Sequence, residues 1–349
     1  MATEENNSTE TLQKEVAKAK EARGKAPTIL QAPPSTAPID PSPKISVITI
    51  GRNNGPYLRD TLNSILNQTY RNFELIVIDG DSTDETVSIL KKYPTVKWVS
   101  EKDSGTLDAM WKALKMARGQ YVMSCYVTDG YLDPDWLKKC AETLDRDQEI
   151  SLVWGLPQYL LENGTLGEIS YEQFHQDLPP QKEEFVYYWL RTKFALPEGN
   201  LCARKKVFEV CMESDFKSIG NYWLEFNHRL NVGGYLPYFI PTVANFGRFH
   251  SNSEGHKKGV IKFERECANM ARKKIKKYGE KLEKGLVDHK FRDGQGNILP
   301  FKFSILKYDQ VKKDLKLSFA YLVKSNIKKI LPQNFKLAIQ KHITKSIAK

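Results

Sequence analysis

Acidic residues stand at the ends of three apolar runs in the sequence. Asp79 closes the run FELIVID, Asp103 lies three residues beyond KWVS, and Asp129 follows YVMSCYVT. Several carboxylates on one rim can hold a metal ion or a polyhydroxyl ligand. The plainer interpretation is that each forms a turn or a helix cap, which Asp, Ser and Gly do routinely. Their recurrence at consecutive strand ends favours a shared site.

The elements that must position these residues alternate between strands and helices. Apolar β-branched runs predict the strands, and helical spacing of apolar residues predicts the helices. The predicted strands are 44–50, 73–79, 96–100 and 121–127, and the predicted helices are 56–68, 84–93 and 106–117. This alternation is typical of a parallel sheet with a ligand crevice at the strand carboxyl ends. Thr49, Asn53 and Asp81 then belong to the same edge as the three aspartates.

The formal net charge of +11 is concentrated at the C-terminal end. Residues 251–349 contain 25 Lys and Arg against 9 Asp and Glu, a net charge of +16, so residues 1–250 sum to about −5. Nucleic acid is therefore not the expected partner of the chain as a whole. A local basic surface that faces phosphates or anionic lipid is the better interpretation.

Several classes of protein are disfavoured by motifs that the sequence lacks. The five cysteines show neither CxxC nor metal-ligand spacing, and their odd number argues against a disulfide framework. There is no GxGxxG fingerprint and no P-loop. The N-terminus has no basic region followed by an apolar run, and no uncharged apolar run reaches about 18 residues. We therefore expect a cytoplasmic protein in a reducing compartment.

Three stretches, in this order and at this spacing, resemble the family 2 glycosyltransferases. They are ISVITIGRNNGPYLRDTLNSILNQTYRNFELIVIDGDSTDET, SEKDSGTLDAMWKAL and ARGQYV. The resemblance runs from Ile45 to about His250. It implies the GT-A fold, an α/β architecture with a mixed, mostly parallel sheet flanked by helices. It also implies inverting transfer of a sugar from a nucleotide-diphosphate donor, most simply a UDP-sugar, to a hydroxyl of a glycan or lipid-linked acceptor.

The resemblance assigns donor-binding roles to one set of residues. The base and ribose are expected near Thr49, Asp79 and Asp103. The full set carried over from the resemblance is Thr49, Asn53, Asp79, Asp103, Asp108, Lys112, Thr128, Asp129 and Arg248. Trp111 stands where the family often has Asn, and we interpret it as a change in helix packing.

A divalent cation, Mg²⁺ or Mn²⁺, is also implied by the resemblance, with Asp129 and His250 as its protein ligands. Val127 stands where an earlier acid is common in the family. Valine cannot bind a hard cation, which prefers oxygen ligands. Asp129, the donor phosphates and water can still hold magnesium, so the change weakens metal use without excluding it.

The general base is expected on the segment FKSIGNYWLEFNHRLN. The commonest family register places the acid at Trp223, which cannot act as a base. Glu225 is the nearest carboxylate on this stretch and is our predicted base, with Asp215 as the second choice. The structural alternative is that Glu225 pairs with Arg229 four residues later.

The domain organisation follows from composition and from the resemblance. Residues 1–43 are polar and then rich in proline, which predicts a disordered arm. Residues 44–135 are predicted to form the nucleotide-sugar half of the GT-A domain and residues 136–255 the acceptor half. Residues 256–349 are predicted to form a basic helical extension.

The basic extension has two interpretations. It can lie on anionic lipid at the inner face of the plasma membrane, where each Lys or Arg contributes about 1 kcal/mol. Alternatively, it is a solvated helix packed across the catalytic domain.

Three other functions stay open at the level of sequence. A GT-A-fold binding or scaffold protein that has lost catalysis is favoured by Val127 and Trp223. A nucleotidyltransferase can share such a sheet, but a Gly-rich phosphate loop that contains Lys is missing near the first strand. Nucleic-acid binding through the basic tail is the third.

Overall fold

The computed structural model describes residues 2–35, 41–170, 178–192, 194–212, 222–248, 250 and 290–299. Within these residues, nine strands form one mixed sheet in the order β3-β2-β1-β4-β8-β6-β9-β5, and β7 pairs with β6. The helices are α1 (Ala2–Glu21), α2 (Thr28–Gln31), α3 (Gly55–Leu66), α4 (Thr86–Leu90), α5 (Thr106–Met116), α6 (Trp136–Arg146), α7 (Glu183–Thr192), α8 (Lys205–Cys211) and α9 (Tyr222–Val232). The strands are β1 (Ile45–Gly51), β2 (Phe73–Asp79), β3 (Lys97–Ser100), β4 (Tyr121–Ser124), β5 (Gly130–Tyr131), β6 (Ile150–Leu160), β7 (Leu166–Ile169), β8 (Cys202–Arg204) and β9 (Leu236–Arg248). The predicted α/β class with a mixed sheet is confirmed.

The first four strands are parallel, and β1, β2 and β3 bring their carboxyl ends to one level. All seven residues of β2 are buried, as expected for a strand covered on both faces. In the register, Gly51 pairs with Asp79, and Asp79 pairs with Ser100. The last residues of β1, β2 and β3 therefore lie side by side, which is the edge predicted from the sequence.

The remaining strands extend the sheet and bring distant residues to β4. Strand β8 runs antiparallel to both β4 and β6, while β9 runs parallel to β6. Strand β9 is the longest strand of the sheet within the described residues, with 13 residues. Because β5 pairs with β9 at Gly130 and Phe246, the end of β9 lies beside Asp129.

The N-terminal residues 2–35, which we expected to belong to a disordered arm, instead contain two helices. Leu12, Val16 and Ala19 follow each other at helical spacing on α1 and are buried. The helix is also held by polar contacts, since Gln158 donates a hydrogen bond to the Ala19 carbonyl over 3.1 Å. Three apolar side chains on one face were enough because a sheet face was there to cover them.

The predicted basic helical extension falls mainly outside the described residues. Residues 290–299, the described part, form a turn rather than a helix. Arg292 makes bridges to Tyr235 and Ile298, and its backbone N–H donates to the Gly234 carbonyl over 2.9 Å. This segment therefore packs with the sheet-containing unit, and the domain does not end at residue 255.

Among the helices that the structure describes, none is both long enough and apolar enough to cross a membrane.

Candidate active site

Asp79, the last residue of β2, joins two loops at the edge of the sheet. Its side chain is buried, and its Oδ2 accepts hydrogen bonds from the Ser82 backbone N–H over 3.0 Å and from the Ser100 hydroxyl over 2.6 Å. The Ser82 hydroxyl donates to the other oxygen, Oδ1. Protein groups thus occupy the carboxylate, which fixes the β2–α4 loop against the end of β3.

Asn53, in the loop after β1, is tied to the same cluster. Its backbone N–H donates to the Ser82 hydroxyl over 2.7 Å, and its side-chain oxygen accepts from the Thr83 N–H over 2.8 Å. Its φ of 53° lies in the left-handed region, which Asn adopts more readily than most residues. The loops after β1 and β2 are therefore locked together, with Asn53 exposed at their surface.

Asp103 lies beside this pair of loops. One carboxylate oxygen accepts the Gly105 N–H over 2.9 Å, and the other lies 2.7 Å from the position that a Cβ would take on Gly80. Gly80 follows Asp79 directly. The structure thus brings together Asn53, Asp79 and Asp103, as the sequence predicted.

The side chains of Asp108 and Lys112 bind groups of the loop that leads into α5. The Ser104 N–H donates to Asp108 over 3.0 Å, and this hydrogen bond lowers the pKa of the Asp108 carboxyl. Lys112 contacts Glu101 at 2.8 Å and the Lys102 carbonyl at 2.8 Å, and the hydrogen bond with Glu101 raises the Lys112 pKa. Both side chains order the loop that carries Asp103.

Thr49 and Val127 lie behind the edge. Thr49 is fully buried, and its hydroxyl has no hydrogen-bond partner among the described residues. Val127 is buried, and its Cγ2 lies only 2.6 Å from the position of a Cβ on Gly51. Glycine at position 51 is therefore what lets the Val127 side chain pack against β1.

Asp129 lies at the junction of three segments. One of its oxygens is 3.4 Å from the Thr128 hydroxyl and 3.4 Å from the Arg248 backbone N–H, and the other is 2.7 Å from the position of a Cβ on Gly199. Burial raises the pKa of its carboxyl to about 6, although the Arg248 hydrogen bond opposes this. Asp129 and Arg248, which are 119 positions apart, thus meet in the structure.

Arg248 and His250 both contact Tyr57 on α3. The Arg248 guanidinium forms an ion pair with Asp60 and lies 4.8 Å from the centre of the Tyr57 ring. The His250 ring is buried, with its centre 4.9 Å from that of Tyr57. In this arrangement the Arg248 side chain points towards α3, and only its backbone reaches Asp129.

The loop from Phe194 to Asn200 approaches Asp129 and is held at both ends. Helix α9 grips Leu196, whose carbonyl accepts from Trp223 Nε1 over 2.6 Å and whose N–H donates to Asn227 over 2.9 Å. At the other end, Asn200 donates to the Gly155 carbonyl over 2.9 Å and to Asn245 over 2.7 Å. Trp223 therefore fixes this loop from the position that the resemblance assigns to an acid.

Glu198, in the middle of this loop, is a candidate that the sequence reasoning missed. Its carbonyl accepts the Ser124 hydroxyl over 2.8 Å, and its carboxyl accepts a hydrogen bond from Tyr126. The side chain is half-buried, and desolvation raises its pKa to about 8. The signal in the sequence was an acid in a Pro-Glu-Gly-Asn loop immediately before a strand, but nothing there indicated that the loop meets Asp129.

Of the two predicted bases, Glu225 lies on α9. Glu225 Oε1 is 3.6 Å from Arg229 Nε, as the structural alternative required. At about 100° per residue, Glu225 leaves α9 about 200° around from Trp223, on the side away from Leu196. Asp215 lies outside the described residues.

The side chains present do not form a cation site by themselves. Within the part of the chain that the structure describes, no three His, Cys, Asp or Glu side chains are grouped so as to hold a metal ion. Asp129 offers one carboxylate, and the side chain at position 127 faces Gly51. Magnesium and calcium need about six oxygen ligands, so most would have to come from a diphosphate and water. We therefore derive no reaction step through a metal ion.

The fold and this edge define an α/β protein whose first parallel strands end together at one edge of the sheet. The model of glycosyl transferase family 2 matches residues 46–207, which run from β1 into α8 and include Asp79, Asp129 and Glu198. Over these residues, a little under half of the chain, the protein is similar to glycosyl transferase family 2.

Two similar proteins show how far the likeness extends. An uncharacterized glycosyltransferase of Mycobacterium tuberculosis (strain H37Rv) is 35% identical over 117 residues, which are 33% of this chain and 45% of that protein. Chondroitin synthase of Escherichia coli is 28% identical over 128 residues, which are 36% of this chain and 18% of that protein. The chain therefore spans less than half the length of either relative.

Among solved structures, the chain is similar to TarS 1-349 of S. aureus in complex with UDP-GlcNAc. The two are 19% identical with a TM-score of 0.43, and the likeness covers 60% of each chain. Because this TM-score is below 0.5, the fold assignment rests on the sheet topology and the family match.

Proposed function

We propose that the protein is an inverting glycosyltransferase that moves a sugar from a nucleotide-diphosphate sugar to a hydroxyl of a glycan or lipid-linked acceptor. The observation that carries the proposal is the family match over the strands whose ends gather Asn53, Asp79 and Asp103 at one edge. Loops at the carboxyl ends of parallel strands are where such folds bind ligands.

The donor would lie across the loops after β1, β2 and β3. The Asp79 carboxylate accepts hydrogen bonds from Ser82 and Ser100, so its proposed role is to order these loops. Asn53 is exposed and Asp103 is half-buried. This exposure supports the proposal that these two side chains contact the base and ribose. We propose a UDP-sugar as the donor.

The transfer itself needs a proton acceptor. The acceptor hydroxyl oxygen forms a bond to the anomeric carbon, while the bond from that carbon to the diphosphate oxygen breaks and its electron pair leaves with the diphosphate. The hydroxyl proton goes to a carboxylate, a contribution of about 10²-fold to 10⁴-fold. The sequence nominates Glu225, with Asp215 second.

The leaving diphosphate also needs positive charge nearby. A divalent cation, with Asp129 and His250 as the ligands proposed from the sequence, would neutralise the diphosphate when bound. Since the described side chains form no such site alone, Asp129 is proposed to contact the donor whether or not a cation is present.

A second candidate function is a GT-A-fold binding or scaffold protein without catalysis. Two observations favour it: Val127 packs into the core, and Trp223 is used to hold a loop. Such a protein can bind a nucleotide sugar but does not cleave it.

The experiment that tests the proposal is a titration of the full chain with UDP-glucose, UDP-GlcNAc, UDP-galactose and GDP-mannose, each with and without Mn²⁺. Calorimetry measures binding, and release of the nucleoside diphosphate measures cleavage. Binding with release supports the enzyme. Binding of any donor without release under all conditions supports the scaffold, and no binding of any donor contradicts both.

The acceptor side includes a proposal about membranes. If the acceptor is lipid-linked, the +16 charge of residues 251–349 would favour a peripheral position on anionic lipid. Flotation of the full chain with vesicles of phosphatidylglycerol and phosphatidylcholine tests this. Flotation that disappears at high salt supports the proposal, and equal recovery with purely zwitterionic vesicles contradicts it.

A further inference from the structure

We propose that Glu198 binds the attacking hydroxyl of the acceptor and receives its proton. This inference rests on the proposed function and deepens it. The role of the base thereby passes from Glu225 and Asp215 to Glu198, a loop residue that the sequence motifs did not mark.

Glu198 lies in the loop that contacts Asp129. The adjacent residue, Gly199, touches the Asp129 carboxylate so closely that a Cβ there would be 2.7 Å from Oδ2. Asp129 belongs to the edge that would face the donor diphosphate. A hydroxyl bound at Glu198 would therefore lie next to the donor site, because the adjacent residue Gly199 contacts Asp129.

The loop from Phe194 to Asn200 is held by hydrogen bonds along its length. It is fixed at Leu196 by α9, at the Glu198 carbonyl by Ser124, and at Asn200 by Gly155 and Asn245. A catalytic group has to be held within a fraction of an ångström of its working geometry. Glu198 is held in this way from both sides.

Trp223, on α9, supports the loop that carries Glu198. In the structure, this side chain donates to the Leu196 carbonyl and stacks on Phe226, with ring centres 4.7 Å apart. The helix that the resemblance expects to supply the acid instead supports the loop that carries one. Glu225 leaves that helix on the opposite side and pairs with Arg229.

A purely structural role does not explain why a carboxyl stands at position 198. A half-buried carboxyl contributes little to stability, and the contact with Tyr126 needs only a neutral acceptor such as an amide oxygen. Desolvated acids are typical of functional sites. The raised pKa agrees with this placement, because a base works best with a pKa near the working pH.

In the step that we propose, the acceptor oxygen bonds to the anomeric carbon as the proton moves to a carboxylate oxygen of Glu198. The electron pair of the broken bond leaves with the nucleoside diphosphate. The proton is later returned to solvent.

The test compares Glu198→Gln and Glu225→Gln with wild type. The Gln side chain at 198 keeps an oxygen that can accept from Tyr126, so the fold is expected to survive, which a thermal melt checks. The exposed pair partner Glu142, on α6, gives the matched control Glu142→Gln. The probes are the four nucleotide sugars above with a panel of octyl and p-nitrophenyl glycosides as acceptors.

Wild type is measured first. If wild type neither binds a donor nor transfers a sugar, the proposed function itself is contradicted. This outcome is seen before any variant is compared. With wild-type transfer in hand, Glu198→Gln is expected to lower kcat about 100-fold or more, with donor affinity within about twofold. Glu142→Gln is expected to stay within a few-fold of wild type, and Glu225→Gln is expected to lose less kcat than Glu198→Gln.

Two outcomes would overturn the inference. One is a folded Glu198→Gln enzyme with wild-type kcat. The other is a loss of kcat in Glu225→Gln that equals or exceeds the loss in Glu198→Gln. A third variant, Glu198→Asp, separates a base from a structural contact, because a base moved by one methylene should keep more kcat than the amide does.

Discussion

Trp223 Nε1 donates a hydrogen bond of 2.6 Å to the carbonyl of Leu196, and this contact joins α9 to the loop that meets Asp129. Asn227, one turn later on the same face, accepts the Leu196 N–H over 2.9 Å. Both backbone groups of one loop residue are therefore bound by one helix. Whatever α9 does in related proteins, here it positions the segment from Phe194 to Asn200.

Replacing Trp223 with Phe should loosen this loop. The ring still fills most of the space, but the Leu196 carbonyl loses a buried donor, at a cost of about 1 kcal/mol or more. We expect a lower Tm and a several-fold lower kcat with little change in donor affinity. Trp136→Phe is the control, because Trp136 is fully buried and its Nε1 has no partner among the described residues. Equal loss of kcat in both variants would mean that the hydrogen bond has no special role.

An acid at position 127 should not restore a metal site. The Val127 side chain packs against Gly51 in the core, so Val127→Asp buries a carboxylate at a cost of about 3 kcal/mol. We expect a Tm well below wild type at neutral pH, a smaller loss at acidic pH where the acid is neutral, and no gain in dependence on Mn²⁺. Val127→Asn has nearly the same shape without charge. A stable Val127→Asp protein whose transfer becomes Mn²⁺-dependent would show that the side chain faces the cleft.

Asp129 should give the protein a recognisable dependence of stability on pH. Its pKa is raised by burial from 3.8 to about 6, so the folded state binds the proton more tightly than the unfolded state does. Stability therefore falls as the pH rises from about 4 to about 6, by about 1–2 kcal/mol once partial exposure is allowed for. Urea unfolding of wild type and Asp129→Asn at several pH values isolates this share as the difference between them.

Asp293 supplies the control with the opposite sign. Burial alone would raise its pKa, but hydrogen bonds from the Asn297 side chain and from the backbone outweigh burial and lower it. Its contribution is present above a pH of about 4 and is lost as the pH falls further. If Asp129→Asn and Asp293→Asn shift the pH dependence in the same direction, the burial of Asp129 has been misjudged.

The N-terminal helix should contribute to stability. Leu12 is fully buried on α1, so Leu12→Ala is expected to lower the free energy of unfolding by about 2–5 kcal/mol. Lys14, two residues later, is exposed and pairs with Glu10 on the same helix, which makes Lys14→Ala the control. Urea denaturation measures both. A Leu12→Ala protein as stable as wild type would support the disordered arm that the sequence suggested.

Much of the fold could be predicted because the signals were local. The runs that became β1, β2 and β3 are apolar and β-branched, and each ends at a turn residue such as Gly51 or Asp79. The parallel arrangement of these strands followed from their alternation with helices. By contrast, β7 and α7 lie in a stretch with no clear period, and α1 has too few apolar residues for its helix to be convincing until a partner surface is known.

The candidate site divides in the same way. Asn53, Asp79 and Asp103 come from neighbouring parallel strands, so the sequence could bring them together. The contacts of Asp129 with Gly199 and Arg248 join segments separated by 70 and 119 positions, and no local pattern specifies such pairings. Glu198 was missed for this reason, and the orientation of Val127 depended on the absence of a side chain at Gly51.

The measurement that tests the central claim most directly is the release of nucleoside diphosphate from the panel of nucleotide sugars by wild type and by Asp129→Asn. We predict that wild type releases UDP from at least one UDP-sugar when a glycoside acceptor is present, and that Asp129→Asn does so at least about 100-fold more slowly. Wild-type protein that binds and cleaves no donor, or an Asp129→Asn protein with the wild-type rate, would contradict the account.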